Sequence, residues 1–236
     1  MEKSKISIII PAYNEEKNIE AAVKSAITAM GDKFGDYEII IFNDCSKDKT
    51  GEVADKLAQE NPKIKVFHNE VNRGFAYNYK KGVEISSKDY IGMVPGDDEI
   101  ETKSIFEIFD SAGKADIIIP YTANQNIRPL SRQIVSYAFT TVMNLLFFGG
   151  WKLNYFNGPV IHKRELIQSM PIKADNFAFQ AEALIKLIKK GHSFIQLPMY
   201  IKPRTYGKSS ALKIKNIIGV LKTIGSLCKE IYFTKI

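Results

Sequence analysis

An α/β protein organised around a doubly wound, mostly parallel sheet, completed at its C-terminal end by a helical region, is the fold class this sequence predicts. Three observations predict it. Short runs rich in β-branched residues alternate with amphipathic stretches, the intervening stretches have the length of right-handed crossover connections, and polar loops follow the apolar runs directly.

The first run, residues 5–11 (KISIIIP), is apolar, β-branched and closed by proline, as a buried strand should be. Asn14 then offers an N-cap, Glu15 and Glu16 suit the positive end of a helix, and Ile19, Ala22, Val23, Ala26 and Ile27 recur at helical spacing through about Met30. The unit repeats as strand 37–42, helix 50–60, strand 64–68, helix 75–86 and strand 90–94, with a further helix and strand over 102–120. The sheet is expected to end near Tyr121. Beyond Leu130 the alternation gives way to a long apolar helix, a short strand at 157–162, an amphipathic helix at 177–190 and a strand at 193–200. One domain over 1–210 is expected, with its first half about 1–121 and its second about 122–210, followed by a basic amphipathic helix over 211–236.

Composition bounds the function. With 236 residues, 45% hydrophobic and 25% charged, the chain is an ordinary globular one, and its net charge of +7 favours partners that carry phosphates. Two distant cysteines, Cys45 and Cys228, make neither a disulfide framework nor a zinc motif, which fits a reducing compartment. The apolar run begins after about five residues, so no cleavable leader is expected. A cytoplasmic protein, peripheral at the inner face of the cell membrane, is the resulting expectation. The uncharged stretch 133–151 is diluted by Gln133, Ser136, Asn144 and two glycines, and reads as an interfacial or buried helix rather than a span. The tail helix carries an apolar stripe interrupted by Lys213, Lys215, Lys222 and Lys229. It is suited to a membrane surface, to its own domain or to a second copy in a homodimer.

In open α/β sheets ligands sit beyond the carboxyl ends of the strands. Those positions are polar here: Ala12-Tyr13-Asn14-Glu15, Asn43-Asp44-Cys45-Ser46 and Gly96-Asp97-Asp98-Glu99. Asn14, Asp44 and Ser46 could each simply cap a helix. Three adjacent carboxylates repel one another unless a cation or several donors neutralise them, so 97–99 points to a hard divalent ion completed by phosphate oxygens.

Pro11-Ala12-Tyr13-Asn14-Glu15 resembles the first turn of the inverting family 2 glycosyltransferases of the Rossmann-like GT-A fold. Residues 38–50 (EIIIFNDCSKDKT) are similar to that family's second-strand motif, Asn72-Arg73-Gly74 to its NxG turn, and 90–99 (YIGMVPGDDE) to its DxD strand. Residues 177–191 (FAFQAEALIKLIKKG) and Arg204-Thr205-Tyr206-Gly207-Lys208-Ser209-Ser210 narrow the resemblance toward the polyprenyl-phosphate, dolichol-phosphate mannose synthase-like subgroup.

The resemblance implies a nucleotide-sugar site formed by Pro11, Ala12, Tyr13, Glu15, Asn43, Asp44, Arg73, Gly74 and Asp97, with Asp44 on the base or ribose. It implies Mg2+ or Mn2+ on Asp97, aided by Glu99 or Asp98, and Asp98 or Glu182 as general base for a hydroxyl acceptor. A lipid-phosphate acceptor needs no base. It would be held by Arg128, Arg132, Arg204, Lys208 and Ser209. Three positions depart from the pattern: Pro95 replaces the first acid of DxD, Asn43 the first acid of the second-strand pair, and Gln180 a common acid. His68, His162 and His192 have no second ligand at metal spacing and read as structural. The absence of GxGxxG argues against a nicotinamide-linked oxidoreductase, and lysines scattered over helices argue against a nucleic-acid partner.

Overall fold

The computed structural model describes residues 3–203 and 214–233. Seven strands, β1 (Lys5–Ala12), β2 (Asp36–Asn43), β3 (Ile64–His68), β4 (Tyr90–Met93), β5 (Ile117–Thr122), β6 (Ile161–Lys163) and β7 (Phe194–Met199), form one sheet in the order β3-β2-β1-β4-β6-β5-β7. The pairings β1–β2, β1–β4, β2–β3 and β5–β7 are parallel, whereas β6 is antiparallel to both β4 and β5.

The sheet therefore does not end near Tyr121. The three residues of β6 insert between β4 and β5, and β7 extends the far edge. The mostly parallel, doubly wound expectation holds, with one reversed strand at its centre.

The helices are α1 (Ile19–Met30), α2 (Thr50–Glu60), α3 (Phe75–Ile85), α4 (Thr102–Asp110), α5 (Leu130–Phe148), α6 (Arg164–Gln168), α7 (Phe179–Lys189) and α8 (Ile214–Phe233). Because side chains alternate across a strand, Ile6, Ile8 and Ile10 join α1, α2 and α4 in one core layer, while Ile9 faces α3 in the other. That second layer also takes in buried residues of α5, α6, α7 and α8. Helix α1 begins at Ile19, four residues later than the Asn14 cap predicts, because Asn14 takes a positive φ of 57° and spends its side chain on the neighbouring loop.

Every residue of α7 from Phe179 to Leu187 is buried, Lys186 included. Its ammonium donates to Glu182 at 2.6 Å and to the Pro171 carbonyl at 3.0 Å, and pairs with Glu230 of α8 at 2.8 Å. Charge held this deeply persists only when it is paired and hydrogen-bonded. The cluster ties α8 to the body, helped by Leu227, which is buried, and by the Tyr232 hydroxyl, which donates to the Leu146 carbonyl.

Two predictions follow from this packing. Replacing Lys186→Met strands Glu182 and should cost about 3–5 kcal/mol in urea unfolding at neutral pH. His162, on β6, is buried, and burial pushes its pKa down to about 3. The unfolded chain therefore binds the proton first, and stability falls as pH drops below about 6.5. Between about pH 7.5 and about pH 5 the native state should lose roughly 2 kcal/mol, a loss that His162→Gln removes.

Candidate active site

The parallel strands share a direction, so the loops after β1, β2, β4, β5 and β7 gather at one edge of the sheet. Backbone hydrogen bonds lock the first three together: Asp44 N–H to the Ala12 carbonyl at 2.9 Å and Gly96 N–H to the Pro11 carbonyl at 3.2 Å. Gly96 suits that approach, since a Cβ there would lie 3.1 Å from the Pro11 oxygen and 3.2 Å from the Ala12 Cβ, tighter than most side-chain contacts. The loop after β1 is zipped to the loop after β2 by Asn14 N–H to Ser46 Oγ, Lys47 N–H to Asn14 Oδ1 and Glu15 N–H to Thr50 Oγ1. Tyr13 is left exposed at the rim, while Glu15 accepts from the Asn18 amide at 2.6 Å.

Asp44 is only 3% exposed. Its Oδ1 accepts from Arg73 N–H and the Asn69 amide, and its Oδ2 from Gly74 N–H, each at 2.8 Å. The carboxylate, expected at the base or ribose, also shapes the Asn72-Arg73-Gly74 turn. Gly74, at φ 87°, occupies a region costly for any residue with a Cβ, and it opens α3. Arg73 stays exposed, its guanidinium over the Tyr77 ring. Asn43 pairs with His68 Nδ1 at 3.0 Å and accepts from Ser46 N–H at 3.2 Å, so this departure from an acid serves a hydrogen-bond network.

On the loop after β4, Asp97 is half-buried and accepts from Glu99 N–H at 3.3 Å. Asp98 takes a positive φ of 50°, pairs with Lys202 at 2.5 Å and accepts from Ser25 of α1 at 3.3 Å. As a general base it is already engaged. The segment after β7 stitches this loop in place, through Glu101 N–H to the Tyr200 carbonyl, Lys202 N–H to the Glu99 carbonyl and an Ile100–Ile201 bridge. Asn124, after β5, clasps Ile201 on both its N–H and carbonyl. Sequence reasoning missed Lys202 and Asn124. Nothing in the spacing of Lys202 marks Asp98, 104 positions away, as its partner.

On the side of the crevice built by β5 and β7, Arg128 donates to the Tyr155 hydroxyl at 3.2 Å. Its Nε is buried without a hydrogen-bond partner among the described residues, as is Thr122 Oγ1 at the end of β5. Arg132 lies one turn on, half-buried in α5. Gln180 explains its own departure from an acid: it donates to the Gly158 carbonyl at 2.6 Å and accepts from Gly158 N–H at 3.1 Å, a two-way clamp that no carboxylate can make. Glu182, the other expected base, is enclosed among donors. It is 3% exposed, and its oxygens accept from Lys173 N–H, Ala174 N–H and Lys186. Arg204, Lys208 and Ser209 lie outside the described residues.

Among the described residues no three His, Cys, Asp or Glu side chains are grouped to enclose a metal ion. Mg2+ and Mn2+ are commonly held by one or two carboxylates with substrate phosphates completing the shell. Asp97, with Glu99 two residues on, fits that shared mode rather than a protein cage.

The family model described as "Glycosyl transferase family 2" matches residues 7–166, which span β1 through the start of α6. Among curated relatives, an uncharacterised glycosyltransferase, EpsJ of Bacillus subtilis (strain 168), is 33% identical over 107 residues, 45% of this chain and 30% of its own length. The chondroitin synthase of Pasteurella multocida (strain Pm70) is 33% identical over 125 residues, 52% of this chain and 12% of its own. The chain thus spans less than a third of either relative. A crystal structure of glucosyl-3-phosphoglycerate synthase from Mycobacterium tuberculosis, in complex with Mn2+, UDP-glucose and phosphoglyceric acid, superposes with a TM-score of 0.71 at 16% identity, covering 95% of this chain and 80% of that one. The same enzyme is also solved with Mg2+ and UDP. These likenesses carry the fold, GT-A-like, and the family model carries the membership: this chain belongs to glycosyl transferase family 2.

Proposed function

We propose that the chain is a metal-dependent inverting glycosyltransferase that moves a sugar from a UDP- or GDP-sugar to a polyprenyl-phosphate or glycan acceptor, in the synthesis of cell-surface polysaccharide or glycolipid. Membership of the polyprenyl-phosphate subgroup is part of this reading, supported by the 177–191 and 204–210 segments. In it, an acceptor oxygen attacks the anomeric carbon as the bond to the diphosphate breaks on the opposite face. A divalent cation, when bound, offsets the negative charge that develops on the leaving diphosphate.

The residues of the chain supply position. Tyr13, exposed at the rim, and the backbone of Pro11 and Ala12 border the nucleoside, and Asp44 and Asn43 hold the loops that do so. Asp97, with Glu99, carries the cation. Arg73 and Gly74 present the turn beside the donor, and Arg128, Tyr155 and Arg132 meet the acceptor.

The observation that carries the choice of acceptor is the state of the two expected bases. Asp98 is paired with Lys202, and Glu182 is buried among donors. A phosphate acceptor, already anionic, asks nothing of either, whereas Arg128, whose buried Nε has no hydrogen-bond partner among the described residues, suits an anion. Pro95 favours one alternative, a non-catalytic subunit that binds nucleotide-sugar without turning it over.

Two measurements test the reading. Across a panel of UDP- and GDP-sugars, Mn2+-dependent transfer or donor hydrolysis should appear, and Asp97→Asn should lower it about a hundredfold or more. Turnover unchanged by that substitution refutes the metal assignment, and donor binding without turnover establishes the non-catalytic subunit. Lys202→Met should release Asp98 and raise the donor KM several-fold, and Lys202→Arg should restore it.

A further inference from the structure

Helix α5 buries Thr140, Met143, Asn144 and Phe147 on one side and leaves an apolar side bare. Leu130, Ile134, Tyr137 and Leu145 recur along it at intervals of three, four and eight residues, each more than half exposed, with Val135, Val142 and Leu146 alongside. Trp151 packs its ring beside Tyr137 and is itself exposed. A lone exposed leucine means little, but a contiguous apolar face of this length marks an interaction surface.

The face continues onto α8. The Tyr232 ring stacks on Phe147 and its hydroxyl donates to the Leu146 carbonyl, so the end of α8, where Tyr232 and Phe233 are exposed, meets the end of α5. Leu221 and Ile218 stand outward further up α8.

The fringe is cationic. No Asp or Glu occurs between Asp116 and Glu165. The single acid of α8, Glu230, is spent on Lys173 and Lys186. Lys152, Lys189, Lys190, Lys222 and Lys229 are exposed, and the Lys189 ammonium lies over the Phe148 and Tyr232 rings where the two helices meet.

We infer that the α5–α8 face docks on an anionic bilayer surface, with its apolar side chains in the headgroup boundary and its lysines against lipid phosphates. The charge pattern selects this occupant. A second copy docking by the same face would set lysine against lysine, whereas an anionic lipid surface complements both the apolar stripe and its rim. Among the described residues no helix is long and apolar enough to cross a membrane, so the contact is lateral. Arg128 lies two residues before α5 and its carbonyl accepts from Gln133 within it, which puts the acceptor mouth beside the lipid. This last point rests on the proposed reaction, selects the lipid-borne phosphate among its acceptors, and is separable from docking.

Co-sedimentation of the whole chain with vesicles decides it. Phosphatidylcholine vesicles containing phosphatidylglycerol should retain the protein and pure phosphatidylcholine should not. Ile134→Glu with Leu145→Glu should weaken retention roughly tenfold or more, and Lys222→Gln with Lys229→Gln about fivefold or more. Unfolding midpoints close to wild type would show that these exposed substitutions leave the fold intact. Retention of Asp97→Asn equal to wild type separates docking from turnover. Equal retention on both vesicles, none on either, or a dimer in light scattering that Ile134→Glu with Leu145→Glu splits without any vesicle binding, would overturn the inference.

Discussion

One buried carboxylate sets the shape of the donor side. Asp44 is reached by N–H groups from a turn about thirty residues further along the chain, and its own N–H is held by the end of β1. A carboxylate removed from water is stable only with such donors around it. The turn at Arg73-Gly74, the start of α3 and the rim at Tyr13 are therefore fixed relative to one another by a group that need not touch the substrate. The order of the sheet supplies the rest: strands sharing a direction deliver their loops to one edge, and the short reversed β6 spaces β5 and β7 away from β4.

Much of the frame was legible in the residues. The strands at 64–68 and 37–42 and the helix from Thr50 to Glu60 follow from period-two and period-3.6 apolar patterns, which local sequence carries in full. The short strand expected at 157–162 overlaps β6, but its place between β4 and β5 was not legible, because three residues carry no period and its partners are distant. The start of α1 was misplaced for a related reason. An Asn before a helical stripe reads as a cap, and only the loop from β2 reveals that Asn14 is committed elsewhere.

The site followed the same division. Which residues cluster at the strand ends was readable, since polar loops after apolar runs announce themselves. What each one does was not. Asp44, Asp98 and Glu182 look alike in sequence as carboxylates near a crevice, yet each is committed to partners that spacing cannot indicate: backbone N–H groups, a lysine beyond β7, and a buried lysine one turn along. Gln180 is the instructive converse. It looked like a lost acid and is a fitted amide.

That amide also keeps its own buried position free of charge. A glutamate or aspartate in its place would bury a negative charge against the Gly158 carbonyl. Neutral and unable to titrate, Gln180 holds both polar groups of Gly158 whatever the ambient pH.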